Sequence, residues 1–182
     1  MSSRIQCING AYFDYLNPTA AMIDIVEIAE VLSRVHRFAG HTLVPYTVAQ
    51  HSVHVAHAVP TRLALWGLLH DAAEAYMGDL PRPLKRLLPE FSRIEAGVMA
   101  AVCTKFGLPL QEPPQVKFMD NVLLVTEKRD LLPVHPDDDE EWGGLRLQYG
   151  PLMEPITPWL RGVARNRFLA CFEWAQRMSQ HE

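Results

Sequence analysis

The stretch Leu68-Leu69-His70-Asp71-Ala72-Ala73-Glu74-Ala75 sets one imidazole and two carboxylates into an otherwise apolar helical run, Leu63 to Ala75. Charged groups in such a run are costly to bury unless something compensates them. A divalent transition metal is the simplest compensation, since neutral imidazole and carboxylate together suit Zn, Mn, Co or Fe. Neighbouring helical residues point about 100° apart, so a short arc separates His70 from Asp71. Glu74 follows His70 by four residues and Asp71 by three, one turn away on the same side. The pattern is that of two metal ligands with a proton-handling carboxylate beside them.

Two more residues suit the same chemistry. His51 shares a helical stretch with His54 and His57; positions 51 and 54 lie on one side and 57 is rotated away, so at most two of the three serve one ion. Asp120 is flanked along the apolar stripe of the helical stretch Gln115 to Leu132 by Val116, Leu123 and Leu124. An acid there is expensive to desolvate unless it is metal-bound or ion-paired, here with Lys117 or Arg129. His51, His70, Asp71 and Asp120 thus stand on three separate helical stretches, which a bundle converges in its core. Two imidazoles and two carboxylates leave coordination positions open, as catalytic rather than structural sites do. Such an ion polarises a phosphoryl oxygen and activates water, and Glu74 is placed to position that water or carry its proton. Arg37, Arg82, Lys85 and Lys117 are the cations available to hold anionic oxygens.

The elements that position these residues are helical. Ile8 to Phe13 carries Asn9-Gly10, the signal of a tight hairpin turn between short strands. Asp24 to Glu27 forms a capping box opening a helix of about three turns that ends near 37–40. Thr47 to Gln50 is a second capping box, opening the helix of His51 that Pro60 stops, and Thr61 starts the helix of the doublet, closing at Gly78. Glu90 to Phe106 is helical, with Gly107 as its stop. Residues 133–155, with Asp137-Asp138-Asp139-Glu140-Glu141, read as a solvated acidic loop, and Thr157-Pro158 starts a last helix. The expected fold is all-α, a single domain over residues 1–182, with a small N-terminal β-hairpin.

Composition narrows the function classes. At 182 residues, 48% apolar and 21% charged, the chain supports one full core. Its net charge of −4 and lack of a basic block argue against a nucleic-acid polymer as partner. There is no run of about 18 apolar residues to span a membrane. The N-terminus lacks a secretory h-region, and Cys7, Cys103 and Cys171 show no paired spacing. These features fit free thiols in a cytoplasmic protein.

The order His…His-Asp…Asp resembles the HD-domain metal-dependent phosphohydrolases. The similarity is closest in Arg37-Phe38-Ala39-Gly40-His41, in Pro45 to Ser52, and in Leu69-His70-Asp71-Ala72-Ala73-Glu74-Ala75-Tyr76-Met77-Gly78-Asp79-Leu80-Pro81-Arg82-Pro83-Leu84-Lys85. These stretches resemble the 5′-deoxynucleotidase branch and its phage-borne relatives, the DatZ-type dATP triphosphohydrolases. The resemblance implies an HD-domain bundle in which His51, His70, Asp71 and Asp120 bind Zn, Co or Mn and Glu74 is the acid/base group. It implies that Arg37 grips phosphate, Phe38 stacks on base or sugar, Asp79 meets the deoxyribose 3′-hydroxyl, Pro83 borders the base and Lys85 meets the outer phosphates. A second Mg or Mn would arrive with the substrate, and the chain would form a dimer or larger ring. Gly40 departs from the bulky apolar residue of the dATP-preferring relatives, which leaves base choice open. The leading expectation is a deoxynucleoside triphosphohydrolase, dATP-preferring, releasing tripolyphosphate; the basic turn Arg82 to Arg86 favours it. The alternatives are a 5′-deoxynucleotidase releasing phosphate from monophosphates and a nucleotide sensor without turnover.

Overall fold

In a computed structural model, which describes residues 2–179, the chain begins with two antiparallel strands, β1 (Arg4–Gln6) and β2 (Tyr12–Asp14). Ile5 pairs with Phe13, and Gly10 turns the ribbon at φ 86°, a left-handed conformation that suits glycine. Phe13 is the inward residue of β2; its ring stacks on Tyr76 at 4.2 Å and ties the hairpin to the bundle.

Among the described residues the helices that follow are α1 (Ile25–Leu32), α2 (Val48–Ala58), α3 (Ala64–Leu69), α4 (Glu74–Met77), α5 (Arg82–Lys85), α6 (Pro89–Phe106), α7 (Pro114–Leu131), α8 (Asp138–Tyr149) and α9 (Arg161–Ser179). The two capping residues read from the sequence both act: Asp24 accepts from Glu27 N at 2.9 Å, and Thr47 Oγ1 from Gln50 N at 3.3 Å. Neither box closes reciprocally, because the third residue is used elsewhere. Glu27 accepts from Asn9, and Gln50 bridges to the strap before α9, giving Nε2 to Thr157 O and taking Trp159 N on Oε1. α6 ends where Gly107 takes φ 68°.

The core lies where α2 packs against α3, α7 and α9. Ile28, Leu32, Leu68, Leu69 and Phe168 are fully buried in its main cluster, and Val55, Trp66, Val116 and Leu123 form a second cluster between α2, α3 and α7. Gly67 permits the closest approach: a Cβ there would stand 3.1 Å from Ala56 Cα and 3.1 Å from Val59 Cγ2. α2 carries His51 and α3 leads directly into the doublet at 70–71, so this contact sets the spacing of the site.

Four expectations need correction. The last helix starts at Arg161, and Thr157-Pro158 lie in the non-helical strap before it. α1 ends at Leu32, and residues 37–40 form a separate turn in which Phe38, Ala39 and Gly40 all have positive φ, which no right-handed helix continues through. The doublet does not sit inside one helix: α3 stops at Leu69, and residues 70–73 are a tightened turn before α4. Ala72 N to Leu69 O, Glu74 N to Asp71 O and Tyr76 N to Ala73 O are three-residue hydrogen bonds at 3.0 Å each. The acidic segment is not a loop throughout, since α8 forms within it. Its four acids, Asp138 to Glu141, fall in the first turn, where carboxylates complement the helix dipole, and Asp138 is anchored by Lys128 at 2.9 Å.

Among the described residues, no helix is long and apolar enough to cross a membrane.

Candidate metal centre

Each imidazole is oriented by a hydrogen bond on its outer nitrogen. His51 Nδ1 lies 2.6 Å from Glu127 Oε1, a fully buried carboxylate held below its usual range by Arg37 and His51 against the opposing effect of burial. His70 Nδ1 lies 2.8 Å from the carbonyl of Gly67, which can only accept. Both Nδ1 atoms are therefore donors, and both Nε2 lone pairs face inward. The two Nε2 atoms stand 3.2 Å apart.

Two carboxylates join them. Asp120 is fixed through Oδ2, which takes Lys117 Nζ at 2.7 Å, and its Oδ1 faces His51 Nε2 at 3.4 Å. Asp71 Oδ2 lies 3.1 Å from His70 Nε2 and 3.6 Å from His51 Nε2, buried and without a hydrogen bond of its own. His51, His70 and Asp120 form a group whose ligand atoms all lie within 4.8 Å of one another, and Asp71 adds an oxygen beside it. The structure thus brings together all four residues read as ligands from the sequence.

The arrangement fits a cation. Two inward lone pairs 3.2 Å apart repel unless positive charge lies between them. Metal–nitrogen bonds of about 2.0–2.1 Å at a tetrahedral angle put two ligand nitrogens about 3.3 Å apart. A proton answers the same demand. Burial and Arg37 oppose charge on His51, but Glu127 and Asp120 outweigh them and lift the imidazole to about 9. Asp71 Oδ2 has no hydrogen bond among the described residues and only the long ion-pair approach of Arg37 at 3.5 Å, which leaves it free to face a metal. These residues could hold a divalent ion of the kind that two imidazoles and carboxylates accept.

Arg37 is buried here. Its Nε and Nη2 donate to Glu127 Oε2 at 3.3 and 3.0 Å, and its Nη1 stands 3.5 Å from Asp71 Oδ2. Glu127 is the residue that the sequence reading lacked. It follows Asp120 by seven residues, two helical turns, so it falls on the same stripe of α7; an acid recurring at that period was the available signal.

A cleft of about 410 Å³ opens beside the centre, lined by His70, Asp71, Glu74 and Lys85 on one side and by Trp66, Met99 and Leu110 on the other. Glu74 is buried, its Oε2 has no hydrogen bond, and burial with the charges of Asp71 and Asp79 raises its carboxyl well above the usual range. Lys85 reaches across to Glu95 on α6 at 2.7 Å. Glu112, on the loop before α7, also lines the cleft; burial raises its carboxyl, and Lys117 and His70 pull it back. Phe38, Gly40, Asp79 and Pro83 do not line this cleft. Phe38 is half-buried beside Arg37, 5.6 Å from its guanidinium; Asp79 is half-buried and raised by burial; Gly40 and Pro83 are exposed.

A helical bundle with a buried two-histidine, carboxylate-flanked donor set opening on a cleft is the class that fold and site define. The chain is 39% identical over 170 residues to YfdR of Escherichia coli K12, an uncharacterized protein, covering 93% of this chain and 94% of YfdR, and it belongs to the same family. An uncharacterized protein of Rhodobacter capsulatus is 37% identical over 120 residues, covering 60% of this chain and 61% of that one. No protein-family model matches the sequence.

Proposed function

We propose that this chain is a metal-dependent phosphohydrolase of the HD-domain type that cleaves the 5′-phosphate ester of small deoxynucleotides. The observation that carries this reading is the convergence of His51 Nε2, His70 Nε2, Asp120 Oδ1 and Asp71 Oδ2 beside a cleft that also holds the unpartnered Glu74. The donor set suits Zn, Co or Mn, and a second Mg or Mn accompanying the substrate belongs to the same reading. When bound, the ion supplies Lewis acidity toward a phosphoryl oxygen.

The chain's own residues supply position and proton. Glu127 and the Gly67 carbonyl keep both imidazoles in the tautomer that leaves Nε2 free, and Lys117 fixes Asp120 through its outer oxygen. Glu74, whose carboxyl burial raises above its usual range, is suited to pass a proton from Oε2 to the departing 5′-oxygen. Trp66, Met99 and Leu110 give the cleft an apolar wall for a nucleoside. The three cysteines are free, which suits a reducing cytoplasm. A dimer or larger ring would cover exposed Leu160 and Val163 near the start of α9.

Of the two substrate classes, the monophosphate is the better supported. The triphosphate reading draws on cations that here are committed: Lys85 to Glu95 at 2.7 Å, Arg82 to Asp120 at 3.5 Å and Arg37 to Glu127 at 3.0 Å. Release of tripolyphosphate from dATP is the second reading, favoured by exposed Arg86, which has no acidic partner among the described residues. The test is a panel of deoxy- and ribonucleoside mono- and triphosphates with Mg²⁺, Mn²⁺, Co²⁺ and Zn²⁺, products resolved as phosphate or tripolyphosphate. Phosphate from deoxynucleoside monophosphates is the expected result. Tripolyphosphate from dATP alone would transfer the assignment to the second reading, and no hydrolysis with any metal would sink both.

A further inference from the structure

We propose that Glu112 is a specificity-determining residue, whose carboxylate turns away substrates carrying phosphates beyond the first. The inference rests on the phosphohydrolase reading and deepens it. Both ammonium groups lining the cleft already answer to an acid, Lys85 to Glu95 and Lys117 to Asp120, each at 2.7 Å. Of the cleft's other carboxylates, Glu95 is thus paired, Asp71 faces the donor cluster and Glu74 is buried in the cleft wall. Glu112 makes no ion pair or hydrogen bond with any described residue, and its surroundings are half-buried. It lines the same cleft as His70, Asp71 and Lys117, and the charges of Lys117, His70 and Asp120 act on it, so it stands on the same rim as the donor cluster.

A monophosphate brings its charge to the centre and leaves only a neutral nucleoside in the rest of the cleft. A triphosphate adds two further phosphates, and the two lysines lining the cleft are already ion-paired. Like charges brought together in a partly desolvated site repel strongly enough to shift affinity about tenfold or more. An unpaired carboxylate beside the first phosphate site therefore acts against the longer chain while leaving the nucleoside unaffected.

The experiment uses the full chain and compares wild type with Glu112→Gln and Glu112→Ser. The readouts are kcat/KM for dATP relative to dAMP and, separately, calorimetric binding of inorganic phosphate and tripolyphosphate to the metal-loaded protein. Both variants are expected to raise the dATP-to-dAMP ratio about tenfold, chiefly through the KM of dATP, and to tighten tripolyphosphate relative to phosphate. The wild-type discrimination is expected to shrink as ionic strength rises toward about 1 M, where screening acts within about 3 Å. An unchanged ratio and unchanged tripolyphosphate binding in both variants, with metal affinity intact, would overturn the inference. Should no nucleotide be hydrolysed, the phosphohydrolase reading fails, and the phosphate-versus-tripolyphosphate comparison still decides the role of Glu112.

Discussion

Glu127 joins His51 to Arg37: one carboxylate oxygen lies 2.6 Å from His51 Nδ1, and the other accepts from Arg37 Nη2 at 3.0 Å. The same guanidinium reaches within 3.5 Å of Asp71. One buried ion pair therefore orients a candidate metal ligand on α2 and touches a second candidate beyond α3. The loop that carries Arg37 is pinned by Arg37 N to Tyr46 O at 3.0 Å and by Leu43 N to Leu131 O at 2.8 Å.

Glu127→Gln keeps the shape of the side chain but weakens its pull on the His51 proton. Metal affinity, measured by calorimetric titration with Mn²⁺ or Zn²⁺, is expected to fall about 10–100-fold. Glu127→Ala also strands a buried guanidinium and is expected to cost about 3–5 kcal/mol of stability in urea unfolding. Full metal affinity in Glu127→Gln would remove the residue from the centre.

Gly67→Ala tests the helix spacing on which the donor set depends. The added methyl meets Ala56 backbone at 3.1 Å, and backbone cannot swing aside. A loss of about 1–3 kcal/mol is expected, as for other overpacked cores. Because the Gly67 carbonyl also holds His70, weaker metal binding should accompany it.

Glu74→Gln separates binding from turnover. Deoxynucleotide hydrolysis should fall by about 100-fold or more while metal and nucleotide binding persist. Unchanged turnover would take Glu74 out of the chemistry.

His54 makes the bundle sensitive to acid. Gln50 has its amide orientation fixed by Thr157 O and Trp159 N, so its Nε2 faces His54 Nε2, 3.2 Å away, which must accept and stay neutral. Burial, with the charge of His51, lowers His54 from 6.5 to about 4. The unfolded chain binds this proton below pH 6.5 and the folded chain only near 4, so the stability is present above 6.5 and is lost as pH falls toward 4. After allowance for partial exposure the loss is about 2 kcal/mol. Urea unfolding at pH 7, 5.5 and 4 (about these values) should show the slope in wild type and a smaller one in His54→Gln; equal slopes would refute it.

The four candidate ligands were legible because each breaks a rule of its surroundings: an imidazole or acid on an apolar stripe demands a reason. The hairpin and the helix starts at Asp24 and Thr47 were legible because their signals are local. Glu127 obeys the same logic as Asp120 but sits between Thr126 and Lys128, polar neighbours that disguise a buried position. The tightened turn at the doublet has no sequence mark, since Ala72 and Ala73 suit a regular helix equally well. α8 was hidden by composition: a run of acids reads as solvated loop unless its place in a first turn is known. The engagement of Arg37 and Lys85 with Glu127 and Glu95 depends on partners distant in the chain and is visible only in three dimensions.

The left-handed run at Phe38, Ala39 and Gly40 carries the backbone from the interior guanidinium of Arg37 to the surface within three residues. Two of the three are not glycine, a conformational debt of about 1–3 kcal/mol apiece that the anchoring of Arg37 must cover. Change should therefore be unevenly tolerated along this short piece of chain. Added length at residues 41–42, short of the Leu43 N to Leu131 O hydrogen bond, leaves the arginine seated, whereas a β-branched residue in place of Ala39 forces the backbone out of its bend and withdraws the arginine from the protein's interior.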